Sequence, residues 1–429
     1  MTKGCTELES EEILMAMEYY EKMLSSVAAM YNSFHTPIYL VLCFLGVLAN
    51  SCFIVVLCRR TMRKNPFNYF LIAIAICDLT LMASYFIFKQ VEFCNPIYFS
   101  YLWTVVTLAY AITSVLFHSL SLWLTVMMAV LRYLVLREST TTGSSKLNTY
   151  RSAWIGILIA VIISLIGNAL NMIRYQIKDG GMAYVPLKCY VNDSEYAHYF
   201  TPGQKVHNYQ LIQPSFWSCA WDRFSFWTAG VILKIIPCAL LTIFMIQMIR
   251  LLIEARDRKA RLCSTPGSAC GSQGPGSSNG GKGQAERTTM MLIFIVAVFL
   301  LCELPQGILV IATGSTKTVR YALPHLGNFV DLLSLLNSSI NFLLYAFMSQ
   351  VFRSELVLMF GVCLPQSVRN WHSRRGLKSN GASTRGPNST QTSTKKLQHR
   401  SANPTSRTDA RAEHETEGLI DKDQTTESH

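Results

Sequence analysis

Long apolar runs alternate with polar connectors along most of this chain. A membrane-spanning helix needs about 20 mostly apolar residues. Seven segments meet that requirement: residues 37–58, 67–88, 102–134, 152–173, 224–250, 289–313 and 325–348. Several exceed the minimum, which indicates tilted helices rather than additional spans. The pattern therefore predicts an all-α bundle of seven transmembrane helices, with the two termini on opposite sides of the membrane.

Basic residues concentrate in alternate connectors, and this sets the expected orientation. Lys and Arg cluster in the first, third and fifth connectors and after the seventh span, whereas the N-terminal segment is rich in Glu. Because basic residues near span ends favour the cytoplasmic side, we expect an extracellular N-terminus and a cytoplasmic C-terminus. The N-terminus lacks a basic segment followed by an apolar run, so we expect no cleavable signal peptide. The first span would then act as the targeting signal.

Composition divides the chain into three parts. Only 15% of the residues are charged, against about 25% in soluble proteins. We expect residues 1–35 to be an extracellular segment, 36–362 the seven-helix domain and 363–429 a disordered cytoplasmic tail. Within the domain, the third inner loop (about 256–286) is rich in Gly and Ser and should be flexible.

The net charge of +12 raises the question of an anionic partner. The basic residues follow the spans, and no basic helix carries interleaved aromatic residues for base stacking. We therefore expect contact with membrane lipid and no nucleic acid. The 13 cysteines form no paired metal-binding motif.

Three features near the membrane surface indicate local structure or modification. Residues 351–361 have apolar residues at helical spacing, which predicts a short amphipathic eighth helix in the inner interface. Cys363 follows and is a candidate for palmitoylation, with a plain thiol as the alternative. Asn192 begins an Asn-Asp-Ser sequon on the outer side and is therefore a candidate glycosylation site.

Charged side chains inside the spans are the main candidates for function. Each costs at least about 2.5–3.5 kcal/mol to insert, so those that persist usually face the bundle interior. Lys234 lies three residues before Pro237, and Glu303 two residues before Pro305, where each proline can kink its helix. We hypothesise that Lys234 and Glu303 either pair with each other or flank a ligand.

Further polar positions extend the candidate ligand site. Gln306 shares a helical face with Glu303, and His118 lies on a polar stripe of the third span. Asp331 in the seventh span could meet a cationic group of a ligand, or serve as a partner for a neighbouring helix. The candidate ligand-binding residues are His118, Lys234, Glu303, Gln306 and Asp331.

A second polar set surrounds Asp78, midway in the second span. The third span offers Ser121, and the seventh offers residues at helical spacing on one side. Such an oxygen-rich cage could hold a Na⁺ ion or a water cluster, and helix-to-helix hydrogen bonding is the alternative. The candidate cage residues are Asp78, Ser121, Asn337, Ser338 and Asn341.

Taken in chain order, these and other residues resemble the rhodopsin-like family of G protein-coupled receptors. The resemblance covers about residues 36–362 and implies structural roles for Asn50, Trp154, Pro237 and Pro305. It implies that Arg132, Tyr133 and Tyr345 take part in G protein activation. Three positions depart from the family pattern: Leu131 replaces an acidic residue, Glu303 a tryptophan and Phe342 a proline.

The departures resemble one subgroup, the invertebrate FMRFamide, myosuppressin and sex-peptide receptors with their nematode relatives. The segments that carry this resemblance are 118–126, 234–238, 303–307 and 337–342. It implies a neuropeptide ligand, often amidated and ending in Arg-Phe. An Arg-bearing, amidated tip would suit Glu303 and Asp331 electrostatically.

The family resemblance also implies a disulfide between the outer end of the third helix and the second outer loop. Thr107 occupies the usual third-helix position. Cys94 and Cys189 are the best substitutes, and Cys189 with Cys219 is the competing pair. The outer face is oxidising, which permits a bridge.

The implied function is signal transfer across the plasma membrane to a heterotrimeric G protein. We expect no enzymatic activity and no cofactor apart from the Na⁺ considered at Asp78. Ser and Thr in the tail are candidate sites for receptor kinases, and phosphorylation there could recruit arrestin. The main alternative is a chemosensory receptor for a small molecule on the same fold. A retinal-binding pump would need a lysine in the seventh span, and 325–348 contains none.

Overall fold

A computed structural model describes residues 11–91, 93–190, 196–263 and 278–360. Its α-helices are α1 (Glu11–Leu57), α2 (Phe67–Lys89), α3 (Tyr101–Thr142), α4 (Tyr150–Met172), α5 (Cys219–Gly230), α6 (Ile236–Cys263), α7 (Ser278–Ser315), α8 (Lys317–Met348) and α9 (Gln350–Phe360). A π-helical turn, Val231–Ile235, joins α5 to α6. Short 3₁₀ turns lie at Met62–Lys64, Pro96–Phe99, Leu187–Cys189 and Ala197–Tyr199.

Every predicted span falls on a helix. Among the described residues, six stretches are long and apolar enough to cross a membrane: Ala28–Leu57, Phe67–Lys89, Tyr101–Thr142, Tyr150–Met172, Cys219–Arg258 and Val296–Ser315. The predicted seventh span, 325–348, lies in α8, some of whose residues are outside the described set. The protein is therefore a bundle of helices, and six of its described stretches are long enough to span a membrane.

The first helix is longer than the pattern of apolar residues predicted. α1 has 47 residues, which at about 1.5 Å per residue gives roughly 70 Å, more than twice the thickness of a hydrocarbon core. The boundary expected at residue 35 thus falls inside a helix. His35 is buried, and its Nε2 lies 2.9 Å from the hydroxyl of Tyr85 in α2. The residues before the first predicted span therefore belong to the same helix as that span, and at His35 they pack against α2.

Local sequence accounts for several helix ends. Ser100 and Thr149 begin α3 and α4 by accepting hydrogen bonds from the backbone N–H of Trp103 and Ser152. α3 ends at Gly143, whose φ of +78° is the left-handed conformation that glycine adopts without steric cost. The π turn before α6 follows from Pro237, which has no N–H to donate to the carbonyl of Leu233.

The expectation of a purely helical fold was incomplete, because the connector after α4 forms a two-stranded antiparallel sheet. β1 (Gln176–Tyr184) pairs with β2 (Lys205–Ile212), from Gln176 opposite Ile212 to Tyr184 opposite Lys205. The register shifts between Asp179 and Met182, where Gly181 has a φ of +76°. The two strands are short and lie in a long polar connector. Their alternation of apolar and polar residues is much weaker than the apolar pattern of the spans, so the sequence did not predict them. We call this sheet the hairpin, and its side of the bundle the hairpin end.

The largest apolar core cluster lies among α2, α3, α4, α6 and α7. Its fully buried members include Phe70, Leu122, Leu124 and Leu241. A second cluster, centred on Phe53 and Phe352, joins α1 and α2 to α9. Large apolar side chains on the outer faces of the helices are exposed, as lipid-facing positions would be. Polar residues in the interior therefore stand out against an apolar background.

Candidate functional site

Four polar side chains from three helical segments meet in the interior and form what we call the Lys234 cluster. Lys234 lies in the π turn, His118 in α3, and Glu303 and Gln306 in α7. Nζ of Lys234 is 2.7 Å from Oε2 of Glu303, 2.9 Å from Oε1 of Gln306 and 2.6 Å from Nε2 of His118. An ammonium group has three N–H donors. The cluster therefore offers Lys234 one acceptor for each donor.

The partners of the ammonium group also order one another. Nε2 of His118 is 3.1 Å from Oε2 of Glu303. The ammonium group of Lys234 therefore contacts two atoms that also lie close to each other. Gln306 is held from the other side, because its Nε2 donates to the carbonyl of Cys302 at 2.9 Å. Ser334 in α8 donates to Oε1 of Gln306 at 3.2 Å. The second oxygen of Glu303, Oε1, is buried without a hydrogen-bond partner among the described residues.

The Lys234 cluster forms one wall of a cavity of about 220 Å³, which we call the inner cavity. His118, Lys234 and Gln306 line it, together with Tyr85, Tyr110 and Asp331. Among the described residues, Glu303 is not part of this lining, and it has no exposed surface. A molecule in the inner cavity would therefore contact Lys234 directly, and it would reach Glu303 only if Lys234 moved aside.

Asp331 lines the same cavity and has partners in α2. Its carboxylate faces the hydroxyl of Tyr85 and the ammonium group of Lys89. Lys89 also donates to Oδ1 of Asn328 at 2.9 Å. The structure thus gives Asp331 neighbours in a second helix and a place in the lining of the cavity.

The residues around Asp78 form a separate polar set, deeper in the bundle. Ser121 donates to Oδ1 of Asp78 at 2.9 Å, and Asn341 donates to Oδ2 at 2.8 Å. Asn50 donates to the backbone carbonyl of Ser338 at 3.3 Å. Ser338 and Asn337 are both buried on α8. The structure brings Asp78, Ser121 and Asn341 into direct contact and places the other two residues on the same helix as Asn341. We call these five residues the Asp78 cage.

The oxygen atoms in and around the Asp78 cage are suitable ligands for a small cation or a water molecule. Oδ1 of Asn50 is buried and has no hydrogen-bond partner within the described residues, and the hydroxyl of Ser338 faces the carboxylate of Asp78. Buried polar atoms without protein partners are the usual positions of internal water. Carboxylate, hydroxyl and amide oxygens are also the ligands that hard cations prefer.

At the other side of the bundle, which we call the α9 end, the three candidate activation residues contact different neighbours. The guanidinium carbon of Arg132 lies 5.4 Å from the centre of the Phe67 ring. Tyr345 donates from its hydroxyl to Oδ1 of Asn68 at 3.1 Å. The ring centres of Tyr133 and Phe244 are 5.6 Å apart. No described acidic residue forms an ion pair with Arg132.

The helix α9 is fixed to this end by one aromatic side chain and one ion pair. Phe352 is fully buried, with its ring centre 5.3 Å from that of Phe53 and 5.5 Å from that of Tyr345. Glu355 pairs with Arg59 at 2.8 Å. α9 thus covers the segment that carries Tyr345.

The residues with implied structural roles occupy contrasting places. Asn50 is completely buried, whereas Trp154 on the outer face of α4 is 58% exposed. The ring of Trp154 lies 5.9 Å from that of Tyr69. Pro237 begins the first turn of α6, and Pro305 lies inside α7.

The hairpin end carries a disulfide between Cys94 and Cys189, whose Cα atoms are 5.1 Å apart. This is the first of the two pairings that the sequence left open. Cys219 does not bond to Cys189, and it is itself disulfide-bonded. Asn192 and Cys363 lie outside the described residues.

Beside this disulfide lies a larger cavity of about 530 Å³, which we call the hairpin groove. It is bounded by the start of α3, the 3₁₀ turn before it and both strands of the hairpin. Six of its lining residues are aromatic: Phe93, Tyr98, Phe99, Trp103, Tyr184 and Tyr209.

Sequence reasoning missed the glycine that allows the Lys234 cluster to form. A Cβ atom on Gly307 would lie 2.9 Å from Cβ of Lys234 and 2.9 Å from Cδ1 of Ile235. Glycine inside a helix destabilises the helix by roughly 1 kcal/mol relative to alanine. A glycine four residues after Glu303 therefore could have indicated a close approach of two helices. Phe67, Asn68 and Tyr85 also went unnoticed, because ordinary core residues have the same pattern in a sequence.

The regions that match known proteins include the residues of this site. A family model described as serpentine type 7TM GPCR chemoreceptor Srw matches residues 19–363. The Caenorhabditis elegans protein named G-protein coupled receptor dmsr-1 is 33% identical over 372 residues, which cover 80% of this chain and 71% of the relative. The Caenorhabditis elegans sex peptide receptor-related protein 2 is 24% identical over 254 residues, 57% of this chain and 52% of the relative. The range matched by the family model contains both the inner cavity and the Asp78 cage.

Proposed function

This chain belongs to the serpentine 7TM GPCR chemoreceptor family Srw, and from that premise we propose that it is a receptor for an extracellular neuropeptide. Membership of a G protein-coupled receptor family makes it a multi-pass membrane receptor, not an enzyme. The finer proposal is a rhodopsin-like receptor for an amidated, FMRFamide-like peptide. It is supported by the resemblance of the segments around His118, Lys234 and Glu303, and by the name of one relative, a sex peptide receptor-related protein.

The observation that carries the proposal is Lys234 on the wall of the inner cavity, paired with the buried Glu303 behind it. Burying a lysine and a glutamate is costly, and an apolar pair of similar volume is often as stable. The Lys234–Glu303 pair, at 2.7 Å, is therefore poor evidence of a stability device and good evidence of a functional one. A peptide amide offers both N–H donors and a carbonyl acceptor. These groups suit Gln306 and Lys234, and an arginine next to the amide suits Asp331.

Signal transfer would follow from competition for Lys234. A ligand that binds Lys234 weakens its contact with Glu303 and so favours a different packing of α6 against α7. Pro237 and Pro305 lie within three residues of the two charges, where the helices can bend. At the α9 end, α6 and α7 would swing around Pro237 and Pro305 and open a cleft for the G protein, with Arg132, Tyr133 and Tyr345 at its wall.

The Asp78 cage is proposed to hold Na⁺ or a water cluster in the resting receptor. Na⁺ would supply the positive charge that the neutral partners of Asp78 lack. Ser121, Asn337, Ser338 and Asn341 would complete its oxygen ligands. The buried oxygen without a partner on Asn50 and the oxygen-rich surroundings of Asp78 support this assignment.

The remaining expectations concern the membrane and the cell. We propose that the receptor lies in the plasma membrane with its N-terminus outside and α9 as an amphipathic eighth helix at the inner interface. Asn192 would be glycosylated and Cys363 palmitoylated. Receptor kinases would phosphorylate the cytoplasmic tail, 363–429, for arrestin to bind.

A second candidate function is a chemosensory receptor for a small molecule. Two observations favour it: the matching family is described as a chemoreceptor family, and the inner cavity of about 220 Å³ is small. Ligand pockets commonly measure about 300–1,000 Å³. A small molecule could fill the inner cavity alone, whereas a peptide would extend beyond it.

A reporter assay for calcium and cAMP distinguishes the two functions. Cells that express the receptor are challenged with a library of amidated neuropeptides and, separately, with small volatile and polar metabolites. Peptide agonism predicts a saturable response that is lost in Glu303→Gln or Asp331→Asn at equal surface expression. Glu254→Gln, an exposed residue of α6, is the matched control and should respond normally. A response to small molecules alone would establish the chemosensory function instead.

A further inference from the structure

The hairpin groove and the inner cavity lie along one side of α3. Trp103 and Thr107 line the groove, and Tyr110, Ser114 and His118 line the inner cavity. The steps between these residues are four, three, four and four, so all five share one face of the helix. Thr107 and Tyr110 are one turn apart, or about 5 Å along the axis. An extended chain with one end in the inner cavity would therefore continue into the groove.

Two ammonium groups flank the aromatic walls of the groove. Nζ of Lys188 lies 4.1 Å from the centre of the Phe93 ring, and Nζ of Lys205 lies 4.9 Å from that of Tyr184. Both lysines are exposed, and neither forms an ion pair with a described residue. The one described acidic residue of the hairpin strands, Asp179, is 3.5 Å from His207 instead. Within the described part of the chain, the rim of the groove therefore presents positive charge without a compensating carboxylate.

We propose that the hairpin groove is a second ligand subsite, which takes an aromatic side chain and an adjacent carboxylate from the upstream part of a peptide whose end occupies the inner cavity. The aromatic walls bind the ring by stacking and edge contacts. Lys188 and Lys205 attract the carboxylate, so the groove selects peptides by charge as well as by shape. This inference rests on the proposed peptide function and specifies the half of the ligand that the inner cavity cannot hold.

The test uses synthetic peptides with a fixed end and a variable upstream pair. Heptapeptide amides ending in Arg-Phe carry a Tyr-Asp pair at each upstream position in turn, with glycine elsewhere. Matched series carry Tyr-Lys or Ala-Asp. Potency is measured in the reporter assay on the wild type, on the Lys188→Glu/Lys205→Glu variant and on Lys178→Glu. Lys178 is an exposed hairpin lysine, and among the described residues only Lys188 and Lys205 lie over aromatic rings of the groove.

On the wild type, the best Tyr-Asp peptide should exceed its Tyr-Lys and Ala-Asp counterparts by on the order of tenfold. In Lys188→Glu/Lys205→Glu the preference should invert, so that the Tyr-Lys peptide becomes the more potent. Lys178→Glu should retain the wild-type preference. An inversion of this kind cannot come from misfolding, because the variant gains potency towards one peptide.

The inference is overturned if the peptides activate the wild type without a charge preference, or if Lys178→Glu alters the preference as much as the double variant does. In either case the proposed peptide function survives. Silence of the wild type towards every series, at verified surface expression, overturns the peptide function and the second subsite together.

Discussion

Glu303 and Asp78 are both buried carboxylates inside the bundle, but their partners differ in charge. Glu303 is 2.7 Å from the ammonium group of Lys234. Asp78 accepts hydrogen bonds from the neutral groups of Ser121 and Asn341, and no described lysine or arginine pairs with it. The first site is neutralised by the chain itself, whereas the second leaves room for a cation from solution. This difference underlies the proposal that a ligand competes for Lys234 at the Lys234 cluster and that an ion binds at the Asp78 cage.

The largest expected effect comes from removing one partner of the Lys234 cluster. Lys234→Met leaves Glu303 buried without its cation, which should cost about 3–5 kcal/mol. The double variant Lys234→Met/Glu303→Met removes both charges and should recover most of this loss. Thermal unfolding of the detergent-solubilised receptor measures the difference. Equal destabilisation of the single and double variants would show that the two charges do not compensate each other.

Asp78→Asn provides the matched comparison for that experiment. Its partners are neutral, so the amide leaves no unpaired charge behind, and the loss of stability should be well below that of Lys234→Met. If Asp78→Asn were the more damaging change, the contrast between the two carboxylates would be wrong.

An intermediate effect is expected when the close approach of α7 to the π turn is blocked. In Gly307→Ala the new Cβ would lie 2.9 Å from Cβ of Lys234, and such overpacking typically costs about 1–3 kcal/mol. Gly327→Ala in α8 is the control, because no described atom beyond its own helix backbone and chain neighbours lies within 4 Å of its added Cβ. Unfolding curves of the two variants should separate, with the control near the wild type. Coincident curves would remove the steric role of Gly307.

The smallest effect is a dependence on Na⁺ at the Asp78 cage. Na⁺ at a few times its dissociation constant should stabilise the wild type by about 1 kcal/mol over an equal concentration of N-methylglucamine. Asp78→Asn should lose this difference, and Lys234→Met/Glu303→Met should keep it. The melting temperature in the two salts reports both results. A Na⁺ effect that persists in Asp78→Asn would place the ion elsewhere.

The sequence predicted the helices and the two polar sets better than it predicted their partners. Apolar spacing located every span, because the membrane demands long apolar helices. Lys234 and Glu303 stood out because charges are costly in that setting. Their meeting with His118 and Gln306 depends on how three helices rotate and pack, which spacing along one helix does not determine.

Other features depended on contacts between distant segments. The pairing of β1 with β2 joins residues far apart in a polar connector, where the apolar pattern is weak. Leu131 showed that Arg132 lacks its usual acidic neighbour, but only the fold shows that Phe67 lies against it, 5.4 Å away. The N-terminal extension of α1 was also missed, since its many polar residues resemble those of an unstructured segment.

The most direct test of the account is the peptide response of Lys234→Met/Glu303→Met, the variant expected to fold without the buried charges. It is measured by the reporter assay at matched surface expression, with the peptide that best activates the wild type. If the pair is the element through which the ligand acts, the response should fall by at least about tenfold in potency or disappear. A wild-type dose–response curve would contradict the account, because the pair would then serve packing alone.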